Sequence, residues 1–308
     1  MYFTNLPDHS APGFDEQLHF SRFRQHNMVF NAVSGRSRCD RHTGCLSIKT
    51  VRSGEEWYGV EGRRLAVRPG QFLILNDDQE YSCNIDATEK VRVLSIFFKK
   101  EFASSVWQDA LSREERSLDD PYLLRGTPEF FQTLTDIDPR LEQQLTGLIT
   151  ALDELGYDPT MVDEHLIFLL HHLIRIHTTA LLRIDRVNAI KPHTRTEIYK
   201  RLCIAKDLMH STYMDKTDLS VIGHTACLSI PQLVRQFKAV FHRTPHQYLT
   251  EVRLTHAVRL LQHSSLSVHE ITWQCGFENS SAFCRAFKAV YGISPLHFRK
   301  TTSLPDIP

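Results

Sequence analysis

The spacing of apolar positions changes once along the chain. From about Phe20 to Phe98 it has the short alternating texture of strands. "GCLSIKTV" (44–51), "EEWYGVEGRRLAV" (55–67), "QFLILND" (71–77), "EYSCNI" (80–85) and "VRVLSIFF" (91–98) are strand-like runs. Turn formers separate them at Ser53-Gly54, Glu61-Gly62, Pro69-Gly70 and Asn76-Asp77-Asp78. Short strands joined by tight turns predict an antiparallel barrel or sandwich over residues 1–100.

From Glu101 the period lengthens to that of helices, with a looser stretch near 117–128. "DPRLEQQLTGLITALDELG" (138–156) places Leu141, Leu145, Leu148, Leu152 and Leu155 on one face, with Pro139 at its start. In 160–184, Val162, Leu166, Leu169, Leu173, Ile176 and Ala180 recur in steps of four and three, the coiled-coil period. Ile167, Leu170, Ile174 and Leu181 lie on another side. A helix apolar on two sides has two surfaces to cover, so one is expected against its own domain and one against a second copy. The first stripe, Val162, Leu166, Leu169, Leu173 and Ile176, is assigned to the dimer, and residues 101–185 to a helical dimerisation segment; the alternative is a helix buried inside a monomer. Residues 186–195 resemble a linker.

Residues 196–300 are helical throughout and contain a repeat. "LSIPQLVRQFKAVFHRTP" (228–245) and "GFENSSAFCRAFKAVYGISP" (276–295) share Phe-Lys-Ala-Val, with Phe237 matching Phe287. Leu233, Phe237, Val240 and Phe241 form the apolar side of the first helix, and Phe283, Phe287, Val290 and Tyr291 that of the second. The outer sides match too: Pro231, Val234, Arg235 and Lys238 against Ser281, Cys284, Arg285 and Lys288. Each helix follows a shorter one, "DLSVIGHTAC" (218–227), which Asp218 can cap, and "LSVHEITWQCGF" (266–277). Gly223 permits close packing at the first turn. This is helix-turn-helix spacing, twice, with "PHQYLTEVRLTHAVRLLQ" (245–262) between. A connecting helix of that length, about 25 Å, can hold two recognition helices about one duplex turn apart. Arg pairs with two guanine acceptors at once, while Lys and turn hydroxyls or amides hold phosphates.

Charge strengthens this picture. The chain of 308 residues is formally neutral, yet residues 191–308 carry 15 Lys and Arg against 8 Asp and Glu, and residues 1–190 carry 21 against 28. A basic C-terminal third is expected to meet a polyanion, double-stranded DNA above all. Seven scattered cysteines without a Cys-x-x-Cys pair suggest reduced thiols and a cytoplasmic address. Asp8, Asp15 and Glu16 interrupt the apolar start, so neither a signal peptide nor a membrane span is expected.

The segment "GFENSSAFCRAFKAVYGISPLHFRK" (276–300) resembles the second helix-turn-helix signature of the AraC/XylS family of bacterial transcription regulators, and 228–254 is similar to its first motif and linker helix. Two departures are visible: Pro231 and Val234 stand where the first recognition helix often offers polar groups, and His242-Arg243 replaces a Gly-containing turn. The resemblance implies Gln232, Arg235, Ser280, Ser281 and Arg285 as groove-facing residues, with Lys238 and Lys288 nearer phosphates. Ser229, Pro231 and Asn279 complete the expected DNA-binding set. "YGVEGRRLAVRPGQFLILNDDQEYS" (58–82) looks like that family's cupin-like sensing barrel, which implies an effector pocket and a dimerising helical pair. Tyr81 stands where a His is common, which counts against a metal. Expected pocket residues are Arg38, His42, Trp57, Tyr58 and Tyr81, each aromatic having ordinary core packing as its alternative.

The expected fold class is thus α+β multidomain: a cupin-like antiparallel β-barrel with a helical dimerisation segment, then an all-α domain with two helix-turn-helix motifs at 196–300 and a tail at 301–308. The expected function is sequence-specific transcription regulation, leaning to activation, as a homodimer that can engage RNA polymerase and a small-molecule effector. No cofactor, metal or enzymatic activity is expected: the strand-like stretch from about Phe20 to Phe98 offers only His26 and His42, without a His-x-His pair, and no phosphate loop or nucleophile elbow occurs. Two other readings stay open, a constitutive DNA binder whose barrel only dimerises and a cupin enzyme with a helical appendage.

Overall fold

Two long strands shape the N-terminal half. β2 (Met28–Thr43) and β7 (Glu80–Phe97) pair antiparallel, with register shifts between Ser34 and Arg36 and between Cys39 and His42. Unpaired extra residues bend a strand and raise its twist. β7 accordingly pairs near its end with β3 (Ser47–Ser53) and near its start with β4 (Glu56–Val60). β4 turns at Glu61-Gly62, both at positive φ, into β5 (Arg63–Val67), the geometry favoured in tight hairpins. β6 (Gln71–Leu75) joins β3 to the short β8 (Thr135–Asp136), and β1 (Tyr2–Phe3) runs parallel to β2. The sheet order is β1-β2-β7-β3-β6-β8, with the β4–β5 hairpin on β7.

The structure, a computed structural model, describes residues 1–7, 14–114 and 129–302. The looser stretch near 117–128 and all but the first two residues of the 301–308 tail lie outside the described residues. Among the described residues no strand pairing closes the sheet, so the expected barrel is an open, curled half-barrel. Two further differences appear. The runs at 80–85 and 91–98 are one strand, and helix α1 (Glu16–Gln25), capped by Asp15, overlaps the start of the stretch that looked like β.

The chain divides into two units, Met1–Leu182 and Arg183–Pro308. In the first, α2 (Lys100–Glu114), α3 (Pro139–Leu155) and α4 (Pro159–Ile184) cover one face of the sheet. Leu141, Leu145, Leu148 and Leu152 of α3 join Val162, Leu166, Leu169 and Leu173 of α4 in one core with Ile48, Phe72, Ile74, Leu94 and Ile96. Asp138 caps α3 by accepting from Leu141 N and also contacts His172 Nε2 of α4 at 2.9 Å. The dimer assignment is corrected here. Val162, Leu166, Leu169 and Leu173 are buried inside their own domain, and Ile176 packs against the same core. α3 and the sheet already supply the apolar partner that this stripe requires. By length and composition alone α4 passes for a membrane-crossing helix, but that core takes up its most regular apolar stripe.

The second unit is all helical: α5 (Pro192–Ser211), α6 (Leu219–Thr225), α7 (Ile230–Phe241), α8 (Pro245–His263), α9 (Val268–Gln274), α10 (Ser280–Tyr291) and α11 (Pro295–Thr302). The expected linker is shorter than 186–195, because α5 starts at Pro192. Its remainder is docked on α7: Asn188 N donates to Gln236 Oε1 at 3.0 Å, and Gln236 Nε2 donates to Asn188 O at 3.1 Å. This two-point clamp accounts for a glutamine buried on a helix that is otherwise apolar inside and basic outside.

Candidate nucleic-acid interface and half-barrel cavity

Both helix-turn-helix motifs are built by side-chain caps. In the first, Asp218 caps α6, and Ser229 caps α7 by accepting from Gln232 N. A Cβ on Gly223 would stand 2.8 Å from Leu228 O, so the closeness of α6 to the turn depends on glycine. In the second, Ser267 and Glu270 form a capping box on α9, and Asn279 accepts from Ala282 N to start α10. The left-handed turn residue is Cys227 in the first motif (φ 52°) and Gly276 in the second (φ 73°). Counting from it to the N-cap gives Ser229 in one and Asn279 in the other. The second turn therefore holds one residue more, Glu278.

α8 joins the motifs as one uninterrupted helix of 19 residues, about 28 Å long. Thr244 and Gln247 form its capping box, and Arg253 fastens it by donating to Tyr213 O (2.8 Å) and Asp215 O (2.9 Å). Phe283 and Phe287 of α10 are fully buried with Leu254, Ala257 and Leu261 of α8, Ile271 of α9 and Cys275, the residue that ends α9. Leu233, Phe237 and Val240 of α7 are buried likewise. Val290 and Tyr291 are the exceptions among the expected core positions, 54% and 37% exposed where Val240 is 1% and Phe241 half-buried. α7 is additionally covered by α5 and the 186–190 clamp, and among the described residues α10 has no such layer.

The expected DNA-facing residues are all accessible. Ser229, Pro231, Arg235, Lys238, Asn279, Ser281, Arg285 and Lys288 are exposed, and Gln232 and Ser280 half-buried. Arg235 and Lys238 on α7 match Arg285 and Lys288 on α10, so each recognition helix carries a basic row opposite its buried phenylalanine. Helices of this width fit the major groove, where such a row meets base edges and phosphates.

The half-barrel holds the second site. His42, Tyr58 and Tyr81 come together there, with the Tyr81 ring centroid 5.2 Å from His42 and 6.2 Å from Tyr58. They line a cavity of about 60 Å³ together with Cys39, Lys49, Glu56, Cys83 and Phe97. Arg38 and Trp57 do not reach it. Side chains alternate across a strand, so Ser37 and Cys39 pointing inward turn Arg38 out, where it pairs with Asp40 at 2.7 Å. Glu56 and Tyr58 likewise turn Trp57 to the other face, under Arg64 at 4.2 Å and bonded to Glu55.

Lys49 and Glu56 are the pocket residues that the sequence did not reveal. Lys49 is 2% exposed, with its Nζ 3.4 Å from the Phe97 ring centroid. Glu56 Oε2 is buried without a hydrogen-bond partner among the described residues. Burial lowers the Lys49 ammonium to about 8 and raises the Glu56 carboxyl to about 7. Two charged residues inside β runs are the signal that was available: a strand buried on both faces has no ordinary use for them.

A family model described as a helix-turn-helix domain matches residues 222–301. The transcriptional activator RhaR of Salmonella heidelberg is 45% identical over 74 residues, 24% of this chain and 26% of that protein. The activator RhaS of Escherichia fergusonii is 30% identical over 166 residues, 53% of this chain and 56% of that protein. The matches thus span between about a quarter and just over half of these relatives. A solved AraC-type DNA-binding regulator from Chromobacterium violaceum is 30% identical over 34% of this chain and 94% of that one, with a TM-score of 0.33. With two capped helix-turn-helix motifs in tandem and a matching model across residues 222–301, the helical unit is a helix-turn-helix domain of the AraC/XylS type, similar to parts of the transcriptional activators RhaR and RhaS.

Proposed function

We propose that the protein binds double-stranded DNA sequence-specifically, with α7 and α10 in successive major grooves on one face of the duplex. The observation that carries this is the duplicated basic row, Arg235/Lys238 and Arg285/Lys288, on two capped helices joined by one unbroken α8. The test is selection of bound fragments from a random duplex library. Two enriched elements about one helical turn apart are expected, and unselective binding contradicts the proposal. Activation, through contact with RNA polymerase in the cytoplasm, is the outcome proposed from the names of RhaR and RhaS. No catalytic role is assigned to any residue.

The half-barrel cavity is proposed as the effector site, with His42, Tyr58, Tyr81, Lys49 and Glu56 facing the ligand; a constitutive binder has no use for a buried charged pair. The pair also sets a pH signature. Glu56 rises above its unfolded value, so its contribution is full below about 4.5 and lost as pH rises to about 7. Lys49 falls below its unfolded value, so its contribution is lost as pH falls from about 10.5 to about 8. Between pH 7 and 8 both charges are buried and the pair stabilises least. A Lys49→Met/Glu56→Gln double variant is therefore expected to be more stable than the parent at pH 7.5, with a flatter profile in pH-dependent thermal melts. A double variant that melts lower at pH 7.5 contradicts this account of the pair.

A homodimer remains the proposed assembly, formed by a different stripe of α4. Phe168 and Leu182, 63% and 61% exposed, lie about four turns apart near one face, beside Ile167 and Leu181. Phe168→Glu is expected to weaken dimerisation by about tenfold or more in sedimentation experiments. An unchanged dimer moves the interface elsewhere.

A further inference from the structure

The two recognition helices differ at the end that meets the bases. α10 begins with Ser280, half-buried and accepting from Thr272 Oγ1 of α9 at 3.4 Å, and the exposed Ser281, followed by the exposed Arg285, so its outer surface is a hydroxyl and a guanidinium. α7 begins with Ile230 and Pro231 at the corresponding positions after its cap. Ile230 is 44% exposed and Pro231 is exposed too, although the core of this motif is closed beneath them by Leu233 and Phe237. Val234, one turn on, is half-buried where α10 has Cys284. Ile230 packs partly toward Gly223 of α6, but among the described residues its own domain leaves nearly half of it, and Pro231 beside it, in solvent next to Arg235 and Lys238. The adjoining cations match an anionic surface, and the first residues of a recognition helix are the ones that reach base edges. In the major groove the apolar feature of a base pair is the 5-methyl group of thymine.

We infer that the first motif selects thymine through its 5-methyl group, by contact with Ile230 and Pro231, while the second motif selects by hydrogen bonds from Ser281 and Arg285. This rests on the proposed reading of α7 and α10 as groove-facing helices, and it gives the two halves of the binding site different chemistry. Thymine methyls in the first element are desolvated on binding and stabilise the complex by burial. The second element is discriminated by donors and acceptors, which removal of a thymine methyl leaves intact.

The experiment uses the full chain and the duplex obtained by library selection. Arg235→Ala and Arg285→Ala first identify which element belongs to which motif, since each blurs its own. Thymidine is then replaced by deoxyuridine, which pairs identically and lacks only the methyl, in one element at a time. Each contacted methyl lost from the first element is expected to weaken binding about fourfold; the same change in the second element leaves affinity unchanged. An Ile230→Ser/Pro231→Ser variant, which copies the second motif onto exposed positions, removes the sensitivity to deoxyuridine. A first element without thymine, or one in which deoxyuridine has no effect while selective binding persists, overturns the inference alone. Absence of any enriched element overturns the groove-facing reading and this inference with it.

Discussion

Replacing Gly276 with alanine is expected to destabilise the helical unit by about 2–5 kcal/mol, lowering its thermal transition by about 10 °C or more. Two costs combine. Gly276 has φ 73°, in the left-handed region, and its added Cβ would stand 2.4 Å from Tyr213 O and 2.9 Å from Met214 O. Those are backbone atoms of the segment that Arg253 ties to α8, so they have no rotamer to move aside. The first motif separates the two costs, because Cys227 adopts the same left-handed conformation with a side chain present. Torsion is tolerable at this turn; the collision is not. Gly292→Ala supplies the control: φ is 77° and a Cβ there meets nothing within 4 Å, so a loss of only about 1 kcal/mol is expected. Melts of the two variants that coincide would remove the steric argument. DNA affinity is expected to fall with Gly276→Ala as well, because the turn decides where Asn279 starts α10.

Arg285→Ala is expected to cost about 1–3 kcal/mol on the selected duplex and to relax base preference in one element only. Arg285 is exposed in the first turns of α10, opposite Phe287, which is wholly buried. Its loss leaves folding untouched, and the change is read in competition binding against single-base variants of the site. Lys288, one turn on and likewise exposed, is expected to behave differently on substitution by alanine. Binding weakens uniformly across sequences, and the slope of log affinity against log salt falls by about one. Equal losses on all sequences for Arg285→Ala would place its guanidinium on phosphate rather than on a base.

The helical unit was largely legible because its signals are local. α7 and α10 begin and end where the apolar spacing indicates, and the structure adds Ser229 and Asn279 as the caps that start them. What escaped there depends on the second layer: Gln236 and Val290 occupy similar helical faces, and only the 186–190 clamp decides which face is covered. The half-barrel was legible as strands but less so as a cavity. β7 runs through a polar centre that reads as a loop: the β2 register jumps from Asp86, opposite Arg36, to Val91, opposite Ser34, and the strand resumes its pairing beyond. Tyr58 was identified and Trp57 misplaced because two neighbouring strand residues cannot share a face, and which one points inward is set by the whole sheet. Lys49 and Glu56 were missed because burial is a tertiary property. The stripe on α4 failed for the same reason: its spacing shows that something covers it, and α3 turned out to be that partner.

The central claim is that α8 holds two readers at a fixed separation, so a spacing series on the selected duplex tests it most directly. Inserting five base pairs between the elements turns one of them to the opposite face, and inserting ten restores the face but adds about 34 Å. The account predicts that both insertions reduce affinity to that of a single element, because a continuous helix of 19 residues neither twists nor lengthens to follow. Full affinity at either insertion would contradict it, and would mean that the two motifs are not joined as one rigid reader.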